Sequence, residues 1–468
     1  MPVLLWTDIL YFLLLAVAAI FAVYASKHEH LRVPWRAVAR NHLGMGAAVF
    51  LSAYLVVGTL DSMHFYPSVG SGEDGKKRYG SEIASVLDMV LQPITDRTEK
   101  TYSAPFAIYS YAKETVLRED GSQSREFPRL RYAGSHLTDD SDRAMDIALT
   151  SVKALVTGLM VWLVLCVACG IILCRYWRCA FREGLKRIVS GRTGIPWSTV
   201  LSAAAILLVL VCLAASLGVK YHIFGTDKVG QDVFVQAVKS IRTGLMIGTL
   251  TTLVMLPFAV LLGIMAGYFG GWVDDVIQYL YTTLSSIPGV LLIAAAILLL
   301  DVYMAKHAEE FTSLATRADL RLLFLCMILG VTSWTGLCRL LRGEALKLRV
   351  IDYVQASKAF GVRDWNILLK HLLPNVMHII MISVVLDFSG LVLAEAVLSY
   401  INIGVDPSMQ SWGNMINSAR MEMAREPIVW WSLLGAFLFM FTLVLAANLF
   451  SDTVRDAFDP RLREIRAV

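Results

Sequence analysis

Two acidic residues, Asp387 and Glu395, stand two helical turns apart inside an apolar run near 376–400. A charge at mid-bilayer costs on the order of 2.5–3.5 kcal/mol on insertion scales, so such groups face protein or water and mark pathways. Either carboxylate is placed to line a passage and meet a cationic group. The competing reading is a hydrogen bond to a neighbouring helix, or a carboxyl held neutral by burial. At this point the two readings stay open for both Asp387 and Glu395. The other candidate chemistries fall away. His28 and His30, two apart on a helix, point to different sides and do not share a metal. Cys166 and Cys169 form a C-x-x-C inside an apolar helix and read as packing residues. The run 70-GSGEDGKK-77 follows G-x-x-x-x-G-K, but Lys77 stands where a Ser or Thr must hold Mg²⁺. We therefore expect no catalytic group, no metal site and no nucleotide site in this chain.

The elements that must carry these residues are membrane helices. Of 468 residues, 56% are hydrophobic and 17% charged. Soluble domains average about 25% charged residues. The apolar residues fall into continuous blocks of about 20, the length of a helix that crosses hydrocarbon. Continuous blocks exclude an alternating β-barrel. Nine spans are expected, near 4–25, 43–60, 152–174, 197–217, 243–267, 276–300, 321–341, 376–400 and 428–450. Lys and Arg concentrate in 26–42, 175–196, 343–375 and the tail, which puts the N-terminus outside and the C-terminus in the cytoplasm. The first span lacks a basic leader and a cleavage site and reads as retained. None of the seven cysteines lies in the polar segment 61–150, so no disulfide framework is expected there.

The expected organisation has six parts. Residues 1–60 hold two spans, 61–150 an external and mostly helical domain, and 151–196 a third span and basic loop. Residues 197–240 hold the next span and an external amphipathic helix 228–241, which Asp227 caps. The main membrane domain is 241–452, and 453–468 is a cytoplasmic tail. Within the external domain an amphipathic helix is expected over 81–94. Pro288, and Pro257 with it, is expected to kink its span.

The segment 352-DYVQASKAFGVRDWNILLKHLLPN-375 is polar, lies between two apolar runs and has no span of its own. It reads as a helix with a small-residue face at Ala356, Ser357 and Ala359, stopped by Gly361. Asp364 is placed to cap a second helix, and Pro374 favours a break before the next span. The product is a rigid helix–turn–helix joined to spans at both ends. A body that grips it moves both spans.

This segment resembles the EAA loop of bacterial ABC importer permeases, E-A-A-x₃-G-x₉-I-x-L-P. The matching positions are Gln355, Ala356, Ser357, Gly361, His371, Leu373 and Pro374, with Gln, Ser and His replacing Glu, the second Ala and Ile. "DYVQA", starting at Asp352, followed by "G" and "LLPN", looks like the dipeptide/oligopeptide/nickel subfamily. So do 225-GTDKVGQDVF-234, with Gly225, Thr226, Asp227, Gly230 and Asp232, and 267-GYFGGWVDD-275. So too do 286-SIPGVLL-292, 394-AEAVLSYINIGVDPSMQSWGNMI-416 and 455-RDAFDPRLR-463. The resemblance runs from about 197 to 463, leaving three spans and the external domain as an N-terminal extension.

The resemblance implies an all-α polytopic membrane protein with a type I ABC permease core. It implies a bacterial inner membrane location, a second permease subunit in a heterodimer, two ATP-binding subunits that hold ATP and Mg²⁺, and an external substrate-binding protein. Loop 344–374 would couple to the ATPase, with Tyr353, Ala356, Ser357 and Gly361 as contact and turn residues. Cargo would be peptides or similar small polar molecules, and no nucleic acid is involved. The alternatives are a self-sufficient channel or ion-coupled transporter, and a receptor with 61–150 as sensor. The first expects charged relays across several helices, and the second a signalling domain after the last span.

Overall fold

The computed structural model describes residues 2–71, 77–80, 83–117, 123–178, 181–189, 193–307, 309 and 313–458. In chain order the first elements are β1 (Pro2–Val3), α1 (Trp6–Lys27), α2 (Glu29–Arg40), α3 (His42–Asp61), β2 (His64–Phe65), β3 (Ser68–Ser71), β4 (Lys77–Tyr79), β5 (Ala84–Ser85) and α4 (Val86–Thr95). There follow β6 (Glu114–Leu117), β7 (Gln123–Glu126), α5 (Arg143–Trp177), α6 (Phe181–Val189), α7 (Trp197–Gly218) and α8 (Val233–Phe269). The remainder is α9 (Gly271–Ser286), α10 (Gly289–Lys306), α11 (Leu314–Arg349), α12 (Asp352–Ala359), α13 (Asp364–Ile367), α14 (Leu373–Tyr400), α15 (Trp412–Glu422) and α16 (Trp431–Phe458). Among the described residues nine helices are long and apolar enough to cross a membrane. The chain is an all-α polytopic membrane protein.

The chain divides into two compact units. The first comprises Met1–Val3, Arg36–Thr243 and Gln410–Ala446. Here α5 and α7 pack closely because Gly158 has no side chain. A Cβ there would sit 3.1 Å from the Val209 backbone. Trp162 donates to the Leu201 carbonyl across the same pair at 2.8 Å. The segment between α3 and α5 is richer in strand than the sequence reading expects. It holds β2 and β5 of the three-stranded sheet β1-β2-β5, whose β1 comes from the start of the chain, the antiparallel pairs β3-β4 and β6-β7, and one helix, α4. Short runs such as 114-ETVL-117 bounded by turn residues are too brief for helical periodicity to compete. Helix α4 starts later than expected, where Ser85 and Asp88 form a reciprocal capping box.

The second unit comprises Leu4–Trp35, Gly244–Met409 and Ala447–Val468. One apolar cluster gathers Met255, Ala259, Trp334, Leu341, Ala345, Leu348, Val354, Ile367, Leu372 and Val376 from α8, α11, α12–α14 and the turn between them. A second surrounds Tyr11 of α1 with Met246, Leu250, Ile293, Ile297, Leu322, Leu325 and Leu329. Close approach of α8 and α11 rests on glycine. Cβ atoms at Gly263 and Gly267 would lie 2.8 Å from the Cys338 carbonyl oxygen and 2.6 Å from that of Arg342. Small residues four apart are how membrane helices bring their backbones together.

Two local expectations differ. Residues 276–300 are not one kinked span: α9 stops at Ser286 and α10 starts after Pro288, which stands at its N-cap. Proline lacks the N–H a continuous helix needs there. Pro257, by contrast, sits inside an unbroken α8. No helix starts at 228. Helix α8 begins at Val233 and runs without a break through 240 and 241. Residues 72–76 of the glycine-rich run and 459–468 of the tail lie outside the described residues.

Candidate functional site: an elbow, a half-buried acid and a covered loop

Helix α11 delivers the chain to the elbow. Its carbonyl end at Arg349 is closed from the next element, where Gln355 Nε2 donates to the Arg349 carbonyl at 2.9 Å. Val354, only 1% exposed, pins α12 to the apolar cluster beneath. Gly361, at φ +72°, stops α12. The Val362 N–H donates to the Ser357 carbonyl at 3.1 Å, and the Gly361 N–H to that of Lys358 at 3.0 Å. This paired closure is the Schellman stop, which requires a left-handed residue. Ser357 Oγ donates to the Tyr353 carbonyl at 2.8 Å, and Ala356 is exposed.

The return arm departs from expectation twice. Asp364 is the first residue of α13 and makes no side-chain cap. Its carboxylate instead accepts from the Tyr268 hydroxyl at 2.7 Å. Pro374 does not interrupt the helical run, which is continuous over Asp364–Tyr400. Residues Leu368–Leu372 widen into a π-helical turn, and α14 starts at Leu373 with Pro374 in its first turn. A wider turn there absorbs the missing N–H, and the first turn tolerates proline. The two arms are joined where Asn375 Nδ2 donates to the Tyr353 hydroxyl at 2.9 Å. At the base, Arg342 grips Asp274 through two bonds of 2.6 and 2.7 Å. Paired guanidinium–carboxylate bonds fix orientation as well as distance. The elbow exposes large apolar groups: Phe360 is 87% exposed, Trp365 55% and Leu369 54%.

Asp387, on α14, is half-buried and makes no hydrogen bond or ion pair among the described residues. Glu395 differs. It is buried, and its Oε1 accepts from Ser399 Oγ at 2.6 Å. The two acids predicted from one helix are therefore in different surroundings, and Pro288 belongs to neither.

The loop 225–232 is built around two glycines with positive φ, Gly225 at +65° and Gly230 at +77°. Both are covered. A Cβ on Gly225 would lie 2.2 Å from the Ser103 carbonyl oxygen, and one on Gly230 1.9 Å from that of Glu99. Thr226 Oγ1 accepts from the Ser103 N–H at 2.7 Å and donates to the Thr101 carbonyl at 2.8 Å. Asp227 is not a helix cap. It accepts from the N–H groups of Val229 and Gln231, each at 2.9 Å, and so closes the loop on itself. The residue at the head of α8 is Asp232, which accepts from the Phe234 N–H at 2.8 Å.

Asp232 also holds His222, a residue the sequence reading passed over. His222 Nδ1 lies 2.7 Å from Asp232 Oδ2, and Nε2 lies 3.7 Å from Glu99 Oε1. Burial alone would lower the imidazole pKa, but the hydrogen bond to Asp232 and the nearby carboxylate of Glu99 outweigh it and raise the value to about 9. Burial would raise that of Glu99. The imidazolium and the N–H groups of Arg131, Tyr132 and Ala133 bring it down to about 2. Also unforeseen is Asp319 of α11, 2% exposed, which accepts from the Thr7 N–H at 3.3 Å and from the Thr7 hydroxyl. The readable signal was an acid at the border of an apolar run; its partner, 312 positions away, had none.

Residues 259–464 match the family described as binding-protein-dependent transport system inner membrane component. The chain is 31% identical over 242 residues to the glutathione transport system permease protein of Pectobacterium atrosepticum, covering 52% of this chain and 73% of that protein. It is 32% identical over 242 residues to the dipeptide transport system permease protein of Bacillus subtilis, covering 52% and 69%. Against the oligopeptide transport system permease protein of the same organism the identity is 29% over 245 residues, covering 52% and 73%.

Proposed function

The chain belongs to the binding-protein-dependent transport system inner membrane components, the permease subunits of ABC importers, and from that membership we propose how it works. It forms half of a translocation pathway in a bacterial inner membrane, with its N-terminus outside and its C-terminus in the cytoplasm. A second, similar permease supplies the other half. Two ATP-binding subunits hold ATP and Mg²⁺, and this chain holds neither. An external binding protein delivers a peptide or a similar small polar cargo, as the names of the relatives suggest.

The carrying observation is the elbow. It is stiffened internally by the Gln355–Arg349, Tyr353–Asn375 and Gly361 closures, yet it leaves Phe360 and Trp365 uncovered. An apolar surface on a braced loop at the end of a long helix fits a groove on a moving partner. Closure of an ATPase pair on ATP would drive the elbow and, through α11 and α14, the pathway. Asp387, half-buried and without a partner among the described residues, is the candidate to face cargo. Its carboxylate suits a peptide amino terminus.

Purification in mild detergent from the native cell, with mass spectrometry of the associated chains, tests this. A second permease and phosphate-loop ATPases are expected. A chain that purifies alone and transports in liposomes without ATP would overturn it in favour of a self-sufficient channel.

A further inference from the structure

Helix α1 lies in the extension, yet it belongs to the same compact unit as the elbow. Its start lacks an ordinary cap. Leu5 stands at the N-cap position and offers no side-chain acceptor. The N–H of Thr7, in the first turn, donates instead to the Asp319 carboxylate of α11, whose other oxygen accepts from the Thr7 hydroxyl. A carboxylate at a helix N-terminus satisfies orphan donors and opposes the positive end of the helix dipole. Thr7 is fully buried and Asp319 2% exposed. One turn further on, Tyr11, 1% exposed, enters the apolar cluster with Leu322, Leu325 and Leu329 of α11. Beyond the other end of α1, Trp35 meets Phe458 edge-on, with ring centroids 5.6 Å apart.

Helix α11 is unbroken from Asp319 to Arg349, where Gln355 of the elbow is tied to it. We propose that Asp319 and Thr7 are positioning residues of the transport cycle: they fasten the first helix of the extension to the helix that carries the elbow, so that α1 travels with α11 as one body. The proposal rests on the transport reading above, and it gives part of the extension a role in the motion itself.

The test is a distance measured between spin labels on α1 and α11. Val17→Cys and Val331→Cys are exposed positions, 53% and 45%, and the seven native cysteines are replaced. The pair is measured in the assembled complex, nucleotide-free and trapped with ATP and vanadate. The expected result is one narrow distance, the same in both states. In Asp319→Leu the distance is expected to become nucleotide-dependent, because α1 lags behind α11. Asp319→Glu is expected to restore the parental pattern. A role confined to folding would not produce nucleotide dependence. A shift of more than about 2 Å between states in the parent, the scale of a helix slide, overturns the proposal. So does an Asp319→Leu variant whose distance stays narrow and state-independent. Should Asp319→Leu fail to assemble, Asp319→Ala, which removes both acceptors without adding bulk, is read by the same criteria. If no ATPase accompanies the parental chain, the transport reading fails by itself. The tie then stands or falls on whether Asp319→Leu broadens the distance in the isolated chain.

Discussion

Gln355 Nε2 donates to the backbone carbonyl of Arg349, 2.9 Å away, and so closes the last turn of α11 from inside the elbow. A carboxylate at this position has no proton to give, so Gln and Glu are not equivalent here. Gln355→Glu and Gln355→Leu are each expected to cost the elbow about 1 kcal/mol. The recovered fraction of ATP-binding subunits on co-purification should fall, with helix content by circular dichroism unchanged. Full recovery with Gln355→Glu would mean that this bond carries nothing.

Gly230 lets the backbone of Glu99 lie against the loop. Gly230→Ala meets both a left-handed backbone, φ +77°, and a carbonyl oxygen 1.9 Å from the new Cβ. The backbone part alone is about 1–2 kcal/mol. A thermal midpoint several degrees lower is expected, with faster proteolysis between 99 and 133. An unchanged protease pattern would refute the packing of the loop against this segment.

His222 gives the same region a pH dependence. Its pKa rises from 6.5 to about 9, so its contribution is complete below 6.5 and lost as pH climbs through 9. Glu99 falls from 4.5 to about 2, so its share is complete above 4.5 and lost as pH drops through 2. Amide exchange in 99–133 should therefore be slowest, relative to intrinsic rates, between these limits, and less protected at pH 9. In His222→Gln the alkaline loss should vanish. A variant with the parental alkaline profile would assign the effect elsewhere.

Asp387 makes no hydrogen bond or ion pair among the described residues, so Asp387→Asn should leave assembly and thermal stability within about 0.5 kcal/mol of the parent. Uptake of a labelled dipeptide is expected to slow about tenfold, the weight of one charge contact. Equal uptake by parent and variant would remove Asp387 from the pathway.

Much of this was legible from local pattern. The apolar blocks located the membrane helices, because backbone satisfaction in lipid leaves a segment of that length one solution. Gly361 announced the elbow's turn, since only glycine takes that backbone cheaply. What local pattern cannot carry is choice of partner. Asp364 looked like a cap from its neighbours, yet Tyr268 claims its carboxylate. Asp227 looked like another, yet it serves the loop's own N–H groups and Asp232 heads the helix. Thr7 and Asp319 meet across 312 positions, a distance over which periodicity says nothing. The strands between α3 and α5 escaped for a related reason: a two-residue strand is defined by its neighbour and not by itself.

The unbroken run of α11 has a geometric consequence. Its 36 residues make a rod about 54 Å long at the usual helical rise. Tilted by about five degrees about one end, such a rod sweeps its other end through roughly 5 Å, close to the pitch of one helical turn. The chain therefore needs no large rearrangement at the elbow to open or shut a passage at the far end: a change of angle too small to disturb any single side-chain packing is multiplied by length alone.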